Sequence, residues 1–207
     1  MIKGAIAEVE ANSCISFVPR RNETDYVRFI KSEPGCFSHV GHQGGEQWVN
    51  LSNDSACVRH ALVVHELMHV LGWFHEHSRP DRDQFIKIFW HNVLDEYKDN
   101  FRIFSDDQIF DVALLPYDYH SVTHYHSGAF SRFALLPTLS NWNNRQMTLG
   151  NSRGLSPGDV QKLRRGYACG DSEVQPKSIV LMAGKAGQTI PTLQLVLLAV
   201  FLSLTFH

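Results

Sequence analysis

The stretch from His65 to His75, HELMHVLGWFH, limits what this chain can fold into more than any other feature. Its pattern is H-E-x-x-H-x-x-G-x-x-H, carried by His65, Glu66, His69, Gly72 and His75. Four residues of helix turn the chain through roughly 400°, so His65 and His69 project from one face, one turn apart, and can share one ion. Six further residues of the same helix would carry His75 about 9 Å along the axis, too far for a zinc–nitrogen bond of about 2.0–2.1 Å. The helix must therefore stop and the chain fold back before His75. Gly72 tolerates the left-handed backbone that such a helix end needs. Glu66, beside the first histidine, is placed to accept a proton from water at the metal rather than to bind it. Three neutral imidazoles leave zinc an open position, which outlines a hydrolytic site; structural sites usually close all four positions with protein ligands and lack a carboxylate base.

A chain of 207 residues suits one domain with a substantial core and room for an appendage. Its 19 Lys+Arg against 21 Asp+Glu leave no basic excess that would suggest nucleic acid as a partner. Cys14, Cys36, Cys57 and Cys169 form no C-x-x-C pair, which argues against a cysteine zinc cluster, and spacing alone permits any of their pairings. Sequons at Asn22, Asn50 and Asn53 are compatible with secretion. The first residues, MIKGAIAEVEANS, lack the apolar run of a signal peptide; Ile2, Ile6 and Val9 recur at helical spacing and predict an amphipathic helix.

Runs rich in β-branched and aromatic residues, CISFVPR and DYVRFIK, predict two strands between Cys14 and Lys31. GCFSHVGHQGGEQWVNLS then reads as a bent strand, a glycine turn and a second strand, the second near the edge of a cleft, where it could pair with substrate backbone. Asn53, Asp54 and Ser55 are candidate caps for the helix that carries His65 and His69. Beyond Gly72 strand signals thin out, which places a lobe boundary there. Ser156 before Pro157 caps a closing helix up to Cys169. From Gly170 the composition turns linker-like, and Ile190 to Phe206 is almost wholly apolar over about 17 residues, the short limit of a spanning helix. Small residues at Ser178, Ala183, Gly184, Ala186 and Gly187 precede it; an anchor signal, a spanning tail and a frame artefact all stay open.

H-E-x-x-H-x-x-G-x-x-H is the metzincin signature, and its continuation to Asp83, HEHSRPDRD, resembles the astacin family of zinc endopeptidases. SCISFVPR, GCFSHVGHQGGEQWVNLS, PYDYHSVTHYHSGAF and GLSPGDVQKLRRGYAC extend the resemblance from about Ile2 to Cys169, and it is strongest to the hatching-enzyme and egg-expressed branch. The resemblance implies an α+β, zincin-like fold of two lobes, about 1–74 and 75–169. The first holds a mixed sheet and the active-site helix, and the second is mostly irregular with a closing helix. It implies a catalytic domain over 1–169 that begins inside the family's pattern, a linker over 170–189 and a hydrophobic tail over 190–207. It also implies the bridges Cys14–Cys169 and Cys36–Cys57, hence an oxidising, extracellular setting. One Zn²⁺ on His65, His69 and His75 is implied, with Glu66 as general base and Tyr125 as the phenol that stabilises the oxyanion.

The same resemblance implies a protein or peptide substrate, egg-envelope or matrix protein among the candidates, and places His120, His124 and His126 outside the ligand set. Arg79, Asp81, Arg82 and Asp83 are expected to form a salt-bridge network that supports the metal loop. In the family a freed N-terminus is buried near the glutamate after the third histidine, here Glu76. Two departures point to an alternative, a catalytically impaired binding module. The family's leading strand is missing, and Thr123 stands where the pattern S-x-M-H-Y has methionine, replacing an apolar filler with a hydroxyl that needs a partner.

Overall fold

The elements in chain order are α1 (Ile2–Asn12), β1 (Ile15–Pro19), β2 (Tyr26–Ile30), β3 (Cys36–Ser38), β4 (Glu46–Leu51), α2 (His60–Val70), β5 (Ile86–Ile88), β6 (Leu139–Asn141), α3 (Pro157–Gly166), β7 (Lys177–Leu181) and β8 (Gln194–Leu197). They come from a computed structural model that describes residues 1–52, 57, 59–104, 115–134, 136–170, 177–181 and 194–197. Helix α1 forms where the apolar spacing predicts, and buries Ala5, Ile6 and Val9 towards α2. Strands β1 and β2 fall within the two expected runs, and their alternate residues Ile15, Phe17, Val27 and Phe29 point into the core.

One mixed sheet in the order β1-β7-β8-β2-β4-β3 carries the first lobe. β1 and β7 pair in parallel, as do β2 and β4, while β3 runs antiparallel to β4. The edge beside the cleft is therefore β3, not β4 as the sequence suggested. The glycine turn folds β3 back on one side of β4, and β2 already pairs with the other side.

The C-terminal segments also differ from expectation. Lys177–Leu181 lies within the expected linker and Gln194–Leu197 within the expected tail, yet both are strands of the central sheet, between β1 and β2. The inner edges of β1 and β2 present backbone N–H and C=O groups that must be paired, and β7 and β8 pair them. Ile179 of β7 is buried in the main core. The rest of 190–207 lies outside the described residues, and the anchor reading lies there with it. Among the described residues no helix is long and apolar enough to cross a membrane.

Two apolar cores give the two lobes. The first joins α1, α2 and the sheet, with Val63, Val64, Leu67 and Met68 of α2 fully buried; the second gathers Ile86, Val93, Phe101, Tyr117, Leu139 and Leu149. Leu163 of α3 packs into the first core, so the closing helix belongs with the N-terminal lobe although it follows the second lobe in sequence. Ser156 caps α3 through a reciprocal pair of bonds with Asp159. The caps proposed for α2, Asn53 to Ser55, lie outside the described residues, and Arg59 precedes the helix without a side-chain cap. Cys14–Cys169 and Cys36–Cys57 are both bridged, with Cα–Cα distances of 5.3 and 5.4 Å.

Asn50, fully buried on β4, accepts from the backbone N–H groups of Ser32 and Glu33 and donates to the carbonyls of Glu33 and Gly35. Its amide nitrogen is thereby committed within the folded chain, whereas Asn22 is exposed; Asn53 lies outside the described residues. Replacing Asn50 with Ala removes these bonds and is expected to cost about 1–3 kcal/mol. Urea unfolding should show a lower midpoint at unchanged slope.

Candidate active site

Helix α2 ends in the turn that the motif demands. Gly72 has φ +94°, its N–H donates to the His69 carbonyl at 2.8 Å, and the Trp73 N–H donates to the Met68 carbonyl at 3.0 Å. This pair of crossed bonds is a Schellman closure, and it sends the chain back across the helix end. His75 then meets the two helical histidines. The three Nε2 atoms lie 2.9 Å (His65–His69), 3.2 Å (His69–His75) and 3.3 Å (His65–His75) apart.

The protons on these rings decide what those short distances mean. His65 Nδ1 donates to the Val122 carbonyl and His69 Nδ1 to the Trp73 carbonyl, each at 2.7 Å. A carbonyl only accepts, so both rings carry their proton on Nδ1 and point a bare Nε2 lone pair at the other. Such lone pairs repel unless a cation lies between them. Tetrahedral bonds of about 2.05 Å would set the nitrogens about 3.3 Å apart, so the three histidines fit a zinc ion. Burial, with a smaller contribution from His65, holds the pKa of His69 down at about 3, which keeps its ring neutral as a ligand must be. Among the described residues these three form the one cluster able to hold a metal.

Glu66 sits one residue along α2, 2% exposed, and Ser38 of the edge strand donates to its Oε2 at 2.6 Å. Burial raises its pKa above the ordinary carboxylate value against the opposing effects of His65 and Ser38. Tyr125 brings its ring to 4.5 Å from that of His75, stacks on His77 at 4.0 Å, and has its phenol pKa raised by burial and then by Glu66. The structure thus gathers His65, His69, His75, Glu66 and Tyr125 at one place.

A family model described as Astacin, a family of peptidases, matches residues 1–168. The chain belongs to the astacin family. It is 38% identical over 169 residues to zinc metalloproteinase nas-6 of Caenorhabditis elegans, covering 82% of this chain and 48% of that protein. It is 36% identical over 168 residues to the low choriolytic enzyme of Oryzias latipes, covering 81% of this chain and 59% of the relative. This chain thus spans about half the length of the curated relatives it matches. The solved structure of high choriolytic enzyme 1, a hatching enzyme zinc-protease from Oryzias latipes, superposes with a TM-score of 0.76 at 32% identity over 81% of each chain.

Within this astacin fold His124 is a buried structural residue. It donates from Nδ1 to the Tyr125 carbonyl at 2.7 Å and accepts at Nε2 from Tyr117 at 2.8 Å, while His120 and His126 are exposed. Thr123 is fully buried, and its hydroxyl meets Ser121 Oγ at 2.9 Å, so the hydroxyl in the methionine position has its partner. The charge cluster forms as expected. Arg79 binds Glu76 and Asp81 and caps the Leu115 and Pro116 carbonyls, while Arg82 binds Asp83 and the carbonyls of His77 and Phe101.

Ser38 and the carbonyls of Val122 and Trp73 also hold side chains of the site, and sequence reasoning passed over them. A short motif carries no mark of a partner that arrives from a distant segment.

Burial lowers the His124 pKa to about 4. Its folded pKa lies below the unfolded value, so the stability it contributes is present above about pH 6.5. That stability is lost as the pH falls towards 4. Metal-free protein should lose stability across this window, and His124→Gln should flatten the dependence by about one proton in denaturant titrations repeated at each pH.

Proposed function

We propose that this chain is a zinc-dependent endopeptidase that hydrolyses peptide bonds of extracellular proteins. The observation that carries the reading is the convergence of three imidazole nitrogens on one point beside the buried carboxylate of Glu66. One Zn²⁺ held by His65, His69 and His75 would polarise the scissile carbonyl and acidify the attacking water.

The chain's own groups do the rest. Glu66, made more basic by burial, takes a proton from the water and passes it to the departing amine nitrogen. Tyr125, whose raised pKa keeps the phenol protonated, donates a hydrogen bond to the oxygen that gains charge. The outer edge of β3 offers backbone groups to an extended peptide, and Ser38 of that strand holds Glu66, so the substrate's backbone and the base share one reference.

Relatives named as choriolytic enzymes make egg-envelope protein the substrate class we favour. The two disulfides support an extracellular setting. Membrane attachment through the tail is not part of the proposal, because Gln194–Leu197 pairs within the sheet. A non-catalytic binding module is favoured by no observation: the Thr123 hydroxyl is satisfied, and β7 and β8 lie between β1 and β2.

The test is cleavage of an unfolded protein by chain produced under oxidising conditions, with bound metal counted in the same sample. Glu66→Gln should retain zinc and lose activity by about 10²–10⁴-fold. Tyr125→Phe should lower kcat by about 10²–10³-fold with little change in KM. Zinc bound without any cleavage by the parent chain would sink the enzyme reading.

A further inference from the structure

Lys162 is buried in α3, and three acceptors surround its ammonium. They are Glu76 Oε2 at 2.6 Å, Asp159 Oδ1 at 3.2 Å and Ser121 Oγ at 3.2 Å. An ammonium has three protons, so each is used. What distinguishes this lysine from an ordinary buried ion pair is where its partners lead. Glu76 directly follows the ligand candidate His75, and its other oxygen accepts from Arg79 and from the Asp118 N–H. Asp159 accepts from the backbone N–H of Val122 at 2.8 Å, and the carbonyl of that same residue holds His65 Nδ1 at 2.7 Å. Ser121 donates to Asp159 at 2.6 Å and meets the Thr123 hydroxyl in the turn that leads to Tyr125.

We infer that Lys162 is a positioning residue for the metal centre. One cation on the closing helix fixes two separate supports, the loop that presents His75 and the turn whose carbonyl orients His65. The inference rests on the metal-centre reading proposed above. Arg79 alone would leave Asp159 without a counter-charge, and a carboxylate buried without one must move, take up a proton or draw in water. Each of these shifts Val122, and with it the carbonyl that sets the orientation of His65. Loss of an outer partner of this kind typically costs a metal site about 10–100-fold in affinity.

The measurement compares the full chain with Lys162→Met and with Val9→Ala, a core truncation in α1 away from the site. Each is examined by thermal unfolding, by zinc competition with a chromophoric chelator, and by the visible spectrum of the cobalt(II)-loaded protein. Lys162→Met should bind zinc about 10–100-fold more weakly and shift or weaken the cobalt bands, whereas Val9→Ala should lose Tm and keep both. If Lys162→Met does not fold, Lys162→Gln, which keeps reach without charge, takes its place under the same criteria. Unchanged affinity and bands in the lysine variant, or equal disturbance in Val9→Ala, would overturn the inference while leaving the metal centre standing. A parent chain that binds no zinc would overturn the metal centre itself, and the inference with it.

Discussion

Three imidazole nitrogens face one another across about 3 Å, two of them stripped of protons by the carbonyls behind their rings, and the rest of the structure has to hold them there. His65 and His69 gain their common face from α2, which is pinned to the sheet by the fully buried Val63, Val64 and Leu67. His75 is delivered by the left-handed turn at Gly72. The carbonyls that fix the tautomers come from Trp73, within that turn, and from Val122, fifty-seven positions beyond His65. Helix, turn and distant carbonyl must all be in place before the lone pairs converge.

The second constraint is charge. Glu76, Asp159, Arg79 and Lys162 are all nearly inaccessible to water, and burying any one of them alone would be strongly unfavourable. Together they neutralise one another across the junction between α3, the loop after His75 and the turn at Ser121 to Tyr125. The closing helix, last to appear in the astacin domain, is thereby held from two sides: Leu163 packs into the core of the first lobe, and Lys162 and Asp159 bind the segments that follow His75. The same network also shows how threonine fits at position 123. Its hydroxyl extends the polar network through Ser121 instead of facing apolar surroundings unpaired.

Much of this was legible in the residues. The motif required a helix, a break at Gly72 and a returning histidine, because bond lengths and helical rise permit no other route to one ion. α1, β1 and β2 were readable from periodicity and β-branched runs, since each buries its own apolar stripe. Other features were not. The lateral order of strands depends on which edges meet, so β3 rather than β4 at the border followed from pairing and not from composition. The strands at Lys177–Leu181 and Gln194–Leu197 read as linker and tail because an apolar or mixed segment does not say whether lipid or an open sheet edge will satisfy it.

By itself the sequence determined the identity of the chemical groups and their local geometry: two histidines on one helical face, a glycine that breaks the helix, a carboxylate beside the first of those histidines. Those follow from spacing along a single element. Only the tertiary structure decided which distant groups complete them: Ser38 on Glu66, Val122 behind His65, and Lys162 between Glu76 and Asp159. Such partners are selected by burial, because a polar group removed from water must find its match in whatever segment packs against it. That segment is set by the whole fold, not by its neighbours in the chain.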